Sequence, residues 1–258
     1  MLGRDLSLLL EASMQAGEIA RKYWRNDPDT WDKGDGAGPV TVADLEVDTF
    51  LRETLCAARP DYAWLSEETE DSAERLDAER VFIVDPIDGT RAFVAGQRTF
   101  AHSLAIAENG KVTDGVVYLP LRDKLYAAEA GGGATFNGQP VRVTEPDGLV
   151  GATVLAARPN FEPKHWHGGT PPMERHFRGS LAYRLSLVGE GRFDAMMTLR
   201  DSWEWDIAAG AIIAQEAGAT VTDRRGEPLH FNSAVAKTKG VIVAGGALHR
   251  DLSARLAR

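Results

Sequence analysis

The apolar run Val81-Phe82-Ile83-Val84 passes directly into Asp85-Pro86-Ile87-Asp88-Gly89-Thr90. The run predicts a buried strand, and the residues after it constrain what that strand can belong to. Two carboxylates three residues apart stand at its end, held by a proline and followed by a glycine. Carboxylates at the end of a buried strand must be paired or must coordinate something. Hard divalent cations such as Mg²⁺ take oxygen ligands, commonly a few carboxylates with water and phosphate oxygens. The stretch therefore points to a metal site serving phosphate chemistry.

The chain has 258 residues, room for one large unit or two lobes sharing a core. With 43% hydrophobic and 26% charged residues, it has the composition of an ordinary globular protein. A net charge of -9 argues against a nucleic-acid polymer as partner, which requires a basic footprint. It leaves room for a small anion, because metal ions supply positive charge locally. The lone cysteine, Cys56, forms no internal disulfide and reads as a small buried hydrophobe in a reducing cytoplasm. The first residues lack the features of a signal peptide, and no apolar run approaches the ~18 residues of a membrane span. The expectation is a cytoplasmic protein that engages no membrane.

Periodicity predicts an amphipathic helix over 5–25, then a polar loop over 26–39 with Gly34, Gly36 and Gly38 around Lys33. Those glycines make the loop a candidate lid. Thr41-Val42-Ala43-Asp44 opens a second helix with the pattern of a capping box, burying Val47, Phe50, Leu51 and Leu55. A short strand over 63–65 runs into Ser66-Glu67-Glu68, and residues 69–80 read as a charged surface helix or loop. After the opening motif, Asn109-Gly110 sits between strands over 103–107 and 115–118, a hairpin signal. Asn137-Gly138 marks another turn, and Gly131 to Gly133 a bend or bulge. From residue 151 the pattern changes to α/β alternation. Strands are expected over 153–156, 193–199, 220–222 and 241–243. Helices are expected from Ser180 through Val188, over 205–217 (apolar nearly all round, hence buried) and over 248–256. The reading is a single unit with lobes of about 1–150 (α+β, antiparallel sheet, metal motifs) and 151–258 (α/β, substrate side).

Taken singly, the other acidic positions have ordinary explanations. Asp206 is favoured where it opens a helix by roughly 0.3–1 kcal/mol through the helix dipole, and Glu67-Glu68 reads as a solvated pair. Asp85 and Asp88 do not reduce to a turn in the same way. Gly89 lets backbone approach an anion. A helix beginning near Thr90 would offer free amides to phosphate, with Thr90 itself either an N-cap or a residue that orients water.

Together these residues resemble the inositol monophosphatase superfamily of Mg²⁺-dependent, typically Li⁺-sensitive phosphomonoesterases. The resemblance spans Lys33, Pro39-Val40-Thr41 with Asp44, Ser66-Glu67-Glu68, Asp85 through Thr90, and Trp205-Asp206-Ile207-Ala208-Ala209-Gly210. It implies the layered αβαβα sandwich of that superfamily, two to three Mg²⁺ ions, and frequent assembly as a homodimer. Glu67, Asp85 and the carbonyl of Ile87 would hold one ion. Asp85, Asp88 and Asp206 would hold a second, with Glu67 sharing a loosely bound third. Asp44 and Thr90 would polarise the attacking water. The amides of Gly89 and Thr90 would hold phosphate, and Glu68 and Lys33 would support the ligands. Ser180, Arg184 and Asp206 fall on the leaving-group side.

Ser66, Gly89-Thr90-Arg91 and Trp203-Glu204-Trp205-Asp206 look like the bacterial 3′(2′),5′-bisphosphate nucleotidase branch. That likeness puts adenosine 3′,5′-bisphosphate first as substrate, with inositol 1-phosphate, histidinol phosphate and sugar phosphates as alternatives. Arg91 reads either as a contact to a second phosphate or as a solvated arginine. Arg200, Trp203 and Glu204 are candidates for the pocket rim, with Trp203 either stacking on a base or packing on the core. His165, His167 and His176 lack the spacing of a zinc site and read as surface histidines or part of a subunit contact. A non-catalytic binding protein of the same fold would be expected to have lost a ligand or Thr90, and neither is lost.

Overall fold

The computed structural model describes residues 3–26, 28–34 and 38–257. Helix α1 (Arg4–Tyr23) is followed by two short strands, β1 (Thr30–Asp32) and β2 (Pro39–Thr41), and then helix α2 (Val42–Ala58). The stretch expected as a loop over 26–39 thus holds a strand at Thr30–Asp32 and the start of another at Pro39. β1 and β2 pair antiparallel, and Lys33 N donates to Gly38 O at 3.0 Å. Three-residue strands with no apolar alternation leave no periodic trace, which is why the sequence reads as loop. Gly36, part of the lid reading, lies outside the described residues.

A seven-stranded sheet follows, in the order β3-β4-β5-β6-β7-β8-β9. Its strands are β3 (Ala63–Ser66), β4 (Arg80–Asp88), β5 (Ala101–Glu108), β6 (Lys111–Leu119), β7 (Lys124–Glu129), β8 (Gly133–Phe136) and β9 (Gln139–Pro140). Only β3 and β4 run parallel; the rest form a meander. Asn109 and Gly110 both adopt positive φ in the β5–β6 turn, as do Asn137 and Gly138 between β8 and β9. Residues 69–80 hold a single 3₁₀ turn, Ala73–Asp77. Short helix α3 (Thr90–Val94) lies between β4 and β5.

The second sheet is five-stranded and mixed, in the order β11-β10-β12-β16-β14. It comprises β10 (Thr153–Leu155), β11 (Glu174–His176), β12 (Ala195–Thr198), β14 (Thr220–Thr222) and β16 (Val241–Ala244). A separate ribbon pairs β13 (Ser202–Trp203) with β15 (Lys237–Thr238). Helices α4 (Leu181–Gly189) and α5 (Glu204–Glu216) pack together between the two sheets, and α6 (Gly246–Arg255) covers the outer face of the second. Three apolar cores hold the layers together: α1 and α2 on the first sheet, α4 and α5 between the sheets, and α6 on the second. The architecture is αβαβα, as expected. Gly210 sets how closely α4 and α5 approach, since a Cβ there would stand 2.6 Å from Leu185 Cβ. Among the described residues, no helix is long and apolar enough to cross a membrane.

Candidate active site

β4 does not stop at Asp85 but continues through Asp88, so neither carboxylate lies beyond the strand. The register with β5 shifts between them, Asp85 pairing with Ser103 and Asp88 with Ala101. Residues three apart on a regular strand point to opposite faces. The extra residue of the bulge turns Asp88 to the side of Asp85. Pro86 fits inside the bulge, where it has no N–H to leave unpaired, and its carbonyl is bonded by the buried His102 ring through Nδ1. His102 is a positioning residue absent from the sequence reading. Burial drives its pKa down to about 4, and its Nε2 has no partner among the described residues.

Carboxylate oxygens of Glu67, Asp85 and Asp206 lie within 4.8 Å of one another. They come from the end of β3, from β4 and from the first turn of α5, so the first sheet and the helical layer behind it meet here. Asp85 is 1% exposed, and its Oδ1 accepts from Ile87 N at 3.0 Å. Burial, then Glu67, Asp88 and Asp206, push its carboxyl well above the usual range; burial, then Asp88 and Glu67, do the same to Asp206. Lys33, from the segment between β1 and β2, donates to Glu67 Oε1 at 2.9 Å and Glu68 Oε1 at 2.6 Å. Burial opposes the Lys33 charge, yet the two glutamates hold its pKa above the ordinary value. Glu68, half-buried, is pushed up to about 7 by the loss of water around it, in spite of that partner.

Asp44 serves two structures at once. Its Oδ2 accepts from Thr41 N at 2.9 Å and Thr41 Oγ1 at 2.6 Å, completing the capping box of α2. Its Oδ1 faces Thr90 Oγ1 at 3.0 Å. Burial raises Asp44 to about 6 against those bonds. The Thr90 hydroxyl also stands 3.2 Å from Ile87 O, so its one proton is shared between two acceptors. Gly89 makes the sharp entry into α3 at φ 103°, a left-handed conformation that glycine adopts without strain. Phe100 Cα and Ser180 N stand 3.5 and 3.6 Å from where a Cβ would be. The first amides of α3 have no helical acceptor, as at any helix start.

Asp88 is held differently from the other acids. Its Oδ2 accepts from Ser180 Oγ and from Ala182 N, each at 2.6 Å, at the start of α4. Burial still raises it to about 6. It is not part of the group of mutually close oxygens. The Ser180 hydroxyl is committed on both sides, since it also accepts from Tyr183 N at 3.0 Å. Arg91 is exposed and lies over the β1–β2 ribbon, its Nη2 3.2 Å from where a Gly38 Cβ would be. Arg184 is buried and lowered to about 10, by burial against the attraction of Asp88, with Arg200 lowering it further.

Two candidates for the rim take other places. Trp203 has both faces covered, by Trp205 at 4.5 Å and 11° and by Lys237 Nζ at 3.8 Å, leaving no free face for a base. Glu204 is fully buried and accepts from Asn232 N, Ser233 N and Ser233 Oγ. The histidine segment also has structural work: Ala257 N donates to His165 O, His167 N to Arg255 O, and His176 lies in β11. Asp48, one turn after Asp44, went unread in the sequence. Its carboxylate accepts from Ser66 Oγ and from Thr69 Oγ1 (2.7 Å), fixing the turn that carries Glu67 and Glu68. The four-residue spacing to Asp44 was the available signal.

The family model for the inositol monophosphatase family matches residues 4–258. An inositol-1-monophosphatase of Rhizobium meliloti is 34% identical over 243 residues, covering 89% of this chain and 90% of that protein. A fructose-1,6-bisphosphatase/inositol-1-monophosphatase of Thermotoga maritima is 34% identical over 255 residues, covering 96% and 93%. Among solved structures, the extragenic suppressor protein suhB of Bartonella henselae matches with a TM-score of 0.82 at 28% identity, covering 98% of each chain. The chain belongs to the inositol monophosphatase family, phosphatases that act on small phosphorylated substrates.

Proposed function

We propose that the protein is a Mg²⁺-dependent phosphomonoesterase with inositol 1-phosphate as its preferred substrate. The observation that carries this is the Glu67–Asp85–Asp206 group, acids crowded around the buried Asp85, where burial and mutual repulsion raise the proton affinity of Asp85 and Asp206. Such a set costs stability unless cations neutralise it, and an all-oxygen donor set suits a hard divalent ion. Glu67, Asp85, the Ile87 carbonyl, Asp88 and Asp206 would hold two to three ions, with Asp85 shared. Bound there, the ions would supply charge neutralisation to the attacking and leaving oxygens.

The chain's own residues do the positioning. Asp44 Oδ1 and Thr90 Oγ1, 3.0 Å apart, form a buried acceptor–donor pair able to orient water and take up its proton. The amides of Gly89 and Thr90 bind the phosphate oxygens. Lys33 holds Glu67 and Glu68 in place.

Two observations put inositol 1-phosphate ahead of adenosine 3′,5′-bisphosphate, reversing the order of the sequence reading. Relatives along nearly the whole chain carry the inositol-1-monophosphatase name, and Trp203 offers no face for adenine. The test is kcat/KM with Mg²⁺ for inositol 1-phosphate, adenosine 3′,5′-bisphosphate and histidinol phosphate. Inositol 1-phosphate is expected to lead among these three; a lead for either of the others overturns the substrate assignment.

A further inference from the structure

Arg75 is 2% exposed and lies in the 3₁₀ turn between β3 and β4. Its fork meets the carboxylate of Asp71 with two donors, Nε to Oδ1 at 2.6 Å and Nη2 to Oδ2 at 2.9 Å. It then reaches across to a segment remote in sequence. Nη1 donates to Asn232 Oδ1 at 2.7 Å and Nη2 to Ser233 O at 3.0 Å, and Asn232 Nδ2 returns a bond to Arg75 O at 2.8 Å. A buried guanidinium is costly unless its donors are paired. Here the rigid planar fork fixes three groups in one geometry.

The segment it reaches is the one that Glu204 holds. Glu204 accepts from Asn232 N at 2.6 Å, from Ser233 N at 3.0 Å and from Ser233 Oγ at 2.6 Å. Glu204 opens α5 two residues before Asp206, and Asp71 follows Glu68 by three. A continuous run of bonds therefore joins the turn that carries Glu67 to the helix start that carries Asp206. Asp48 ties the same turn to α2 through Ser66 and Thr69, and Arg75 ties it to α5. Glu67 and Asp206 bring oxygens within 4.8 Å of each other, a separation at which like charges repel. The bonds from Arg75 and Glu204 resist that repulsion from the backbone behind the two acids.

We propose that Arg75 is a positioning residue: with Asn232, Ser233 and Glu204 it braces the Glu67 turn against the start of α5, and so sets the spacing of Glu67 and Asp206 for a divalent cation. The proposal rests on the metal-dependent reading above. Groups that orient metal ligands from behind commonly govern roughly 10–100-fold of the affinity for the ion.

The experiment titrates Mn²⁺ into the protein and reads the free ion by electron paramagnetic resonance, so that binding is measured without turnover. Wild type is compared with Arg75→Gln and with Arg59→Gln, which breaks the Arg59–Asp5 pair (2.7 Å) at the other end of α2 from Asp44. Arg75→Gln is expected to weaken Mn²⁺ binding about tenfold or more, and Arg59→Gln to leave it unchanged. With inositol 1-phosphate, the Mg²⁺ concentration for half-maximal rate should rise in Arg75→Gln, while kcat at saturating Mg²⁺ returns close to that of wild type. An equal loss of Mn²⁺ affinity in both variants, or a fall in kcat that excess Mg²⁺ does not restore, overturns the proposal. Should Arg75→Gln fail to fold by circular dichroism, Ser233→Ala replaces it, removing the hydroxyl bonded to Glu204. Weaker Mn²⁺ binding then supports the brace, and unchanged binding overturns it. A wild type that binds Mn²⁺ no better than Arg75→Gln removes the brace only. A wild type that binds no Mn²⁺ removes the metal-dependent reading itself.

Discussion

Asp44 shows how one side chain ties local structure to chemistry. One oxygen caps α2, and the other meets Thr90 across 46 residues of sequence. The cap is readable in Thr41 to Asp44 because it is local; the Thr90 contact is not, because it depends on where β4 ends against α2. Substituting Thr90 removes the donor without touching the cap. Thr90→Ala should therefore lower kcat by roughly 10²–10⁴-fold, at a stability cost of about 1 kcal/mol. Steady-state kinetics with a thermal melt reads both. An unchanged kcat would mean that Thr90 does not orient the water. Asp48 teaches the opposite lesson: the four-residue spacing puts it on the helix face of Asp44, but its partners Ser66 and Thr69 are remote in sequence, so that spacing alone does not mark it as a support for Glu67.

Among the elements, the β4 bulge decides the site. The strand and its acids are legible in 81–90, but the register shift is a property of the pairing with β5 and has no local signature. The β1–β2 ribbon and β11 escaped notice for a related reason, being three-residue strands defined by their partners. The hairpin turns and the caps of α2 and α4 were legible because their residues demand those conformations. His102, opposite the bulge, supplies a pH test. It stays neutral in the fold with a pKa of about 4, whereas in the unfolded chain it titrates near its ordinary 6.5. Between these values the unfolded state binds more protons, so the His102 contribution is intact above about 6.5 and is lost as pH falls towards 4. The raised carboxylates of Asp44 and Asp88 act in the opposite sense over an overlapping range. The difference between wild type and His102→Gln isolates the histidine. It should shift in favour of the variant as pH falls from 6.5 to 4, by about 3 kcal/mol at most. A difference that does not change with pH would show that the ring is not held neutral.

At the scale of the whole molecule, the site is where the layers meet: β3 and β4 from the first sheet, α4 and α5 from the layer behind it, and the Lys33 segment across the top. The order of layers was readable from the family motifs and from the change in pattern near residue 151. The faces closed by Trp203 and Glu204 were not, because stacking and backbone capture by a buried acid are settled only in three dimensions. A chain with net charge -9 that concentrates acids at this site should be stabilised by a divalent cation bound there. Mg²⁺ at a hundred times its dissociation constant contributes about 2.7 kcal/mol, or roughly 5–10 °C in Tm for a chain of this size. Calorimetry at matched ionic strength with Na⁺ separates this from screening, and an equal effect of both salts would contradict a specific site. Asp85→Asn should raise the Tm of the metal-free protein, since it removes a buried charge crowded by other acids, and should abolish the Mg²⁺-specific shift. The most direct measurement is the initial rate of phosphate release from inositol 1-phosphate as Mg²⁺ is titrated into wild type and Asp85→Asn. The expected result is a saturable, Mg²⁺-dependent rate that falls to background in the variant. A rate independent of Mg²⁺, or one that Asp85→Asn leaves intact, would contradict the metal-centred phosphatase described above.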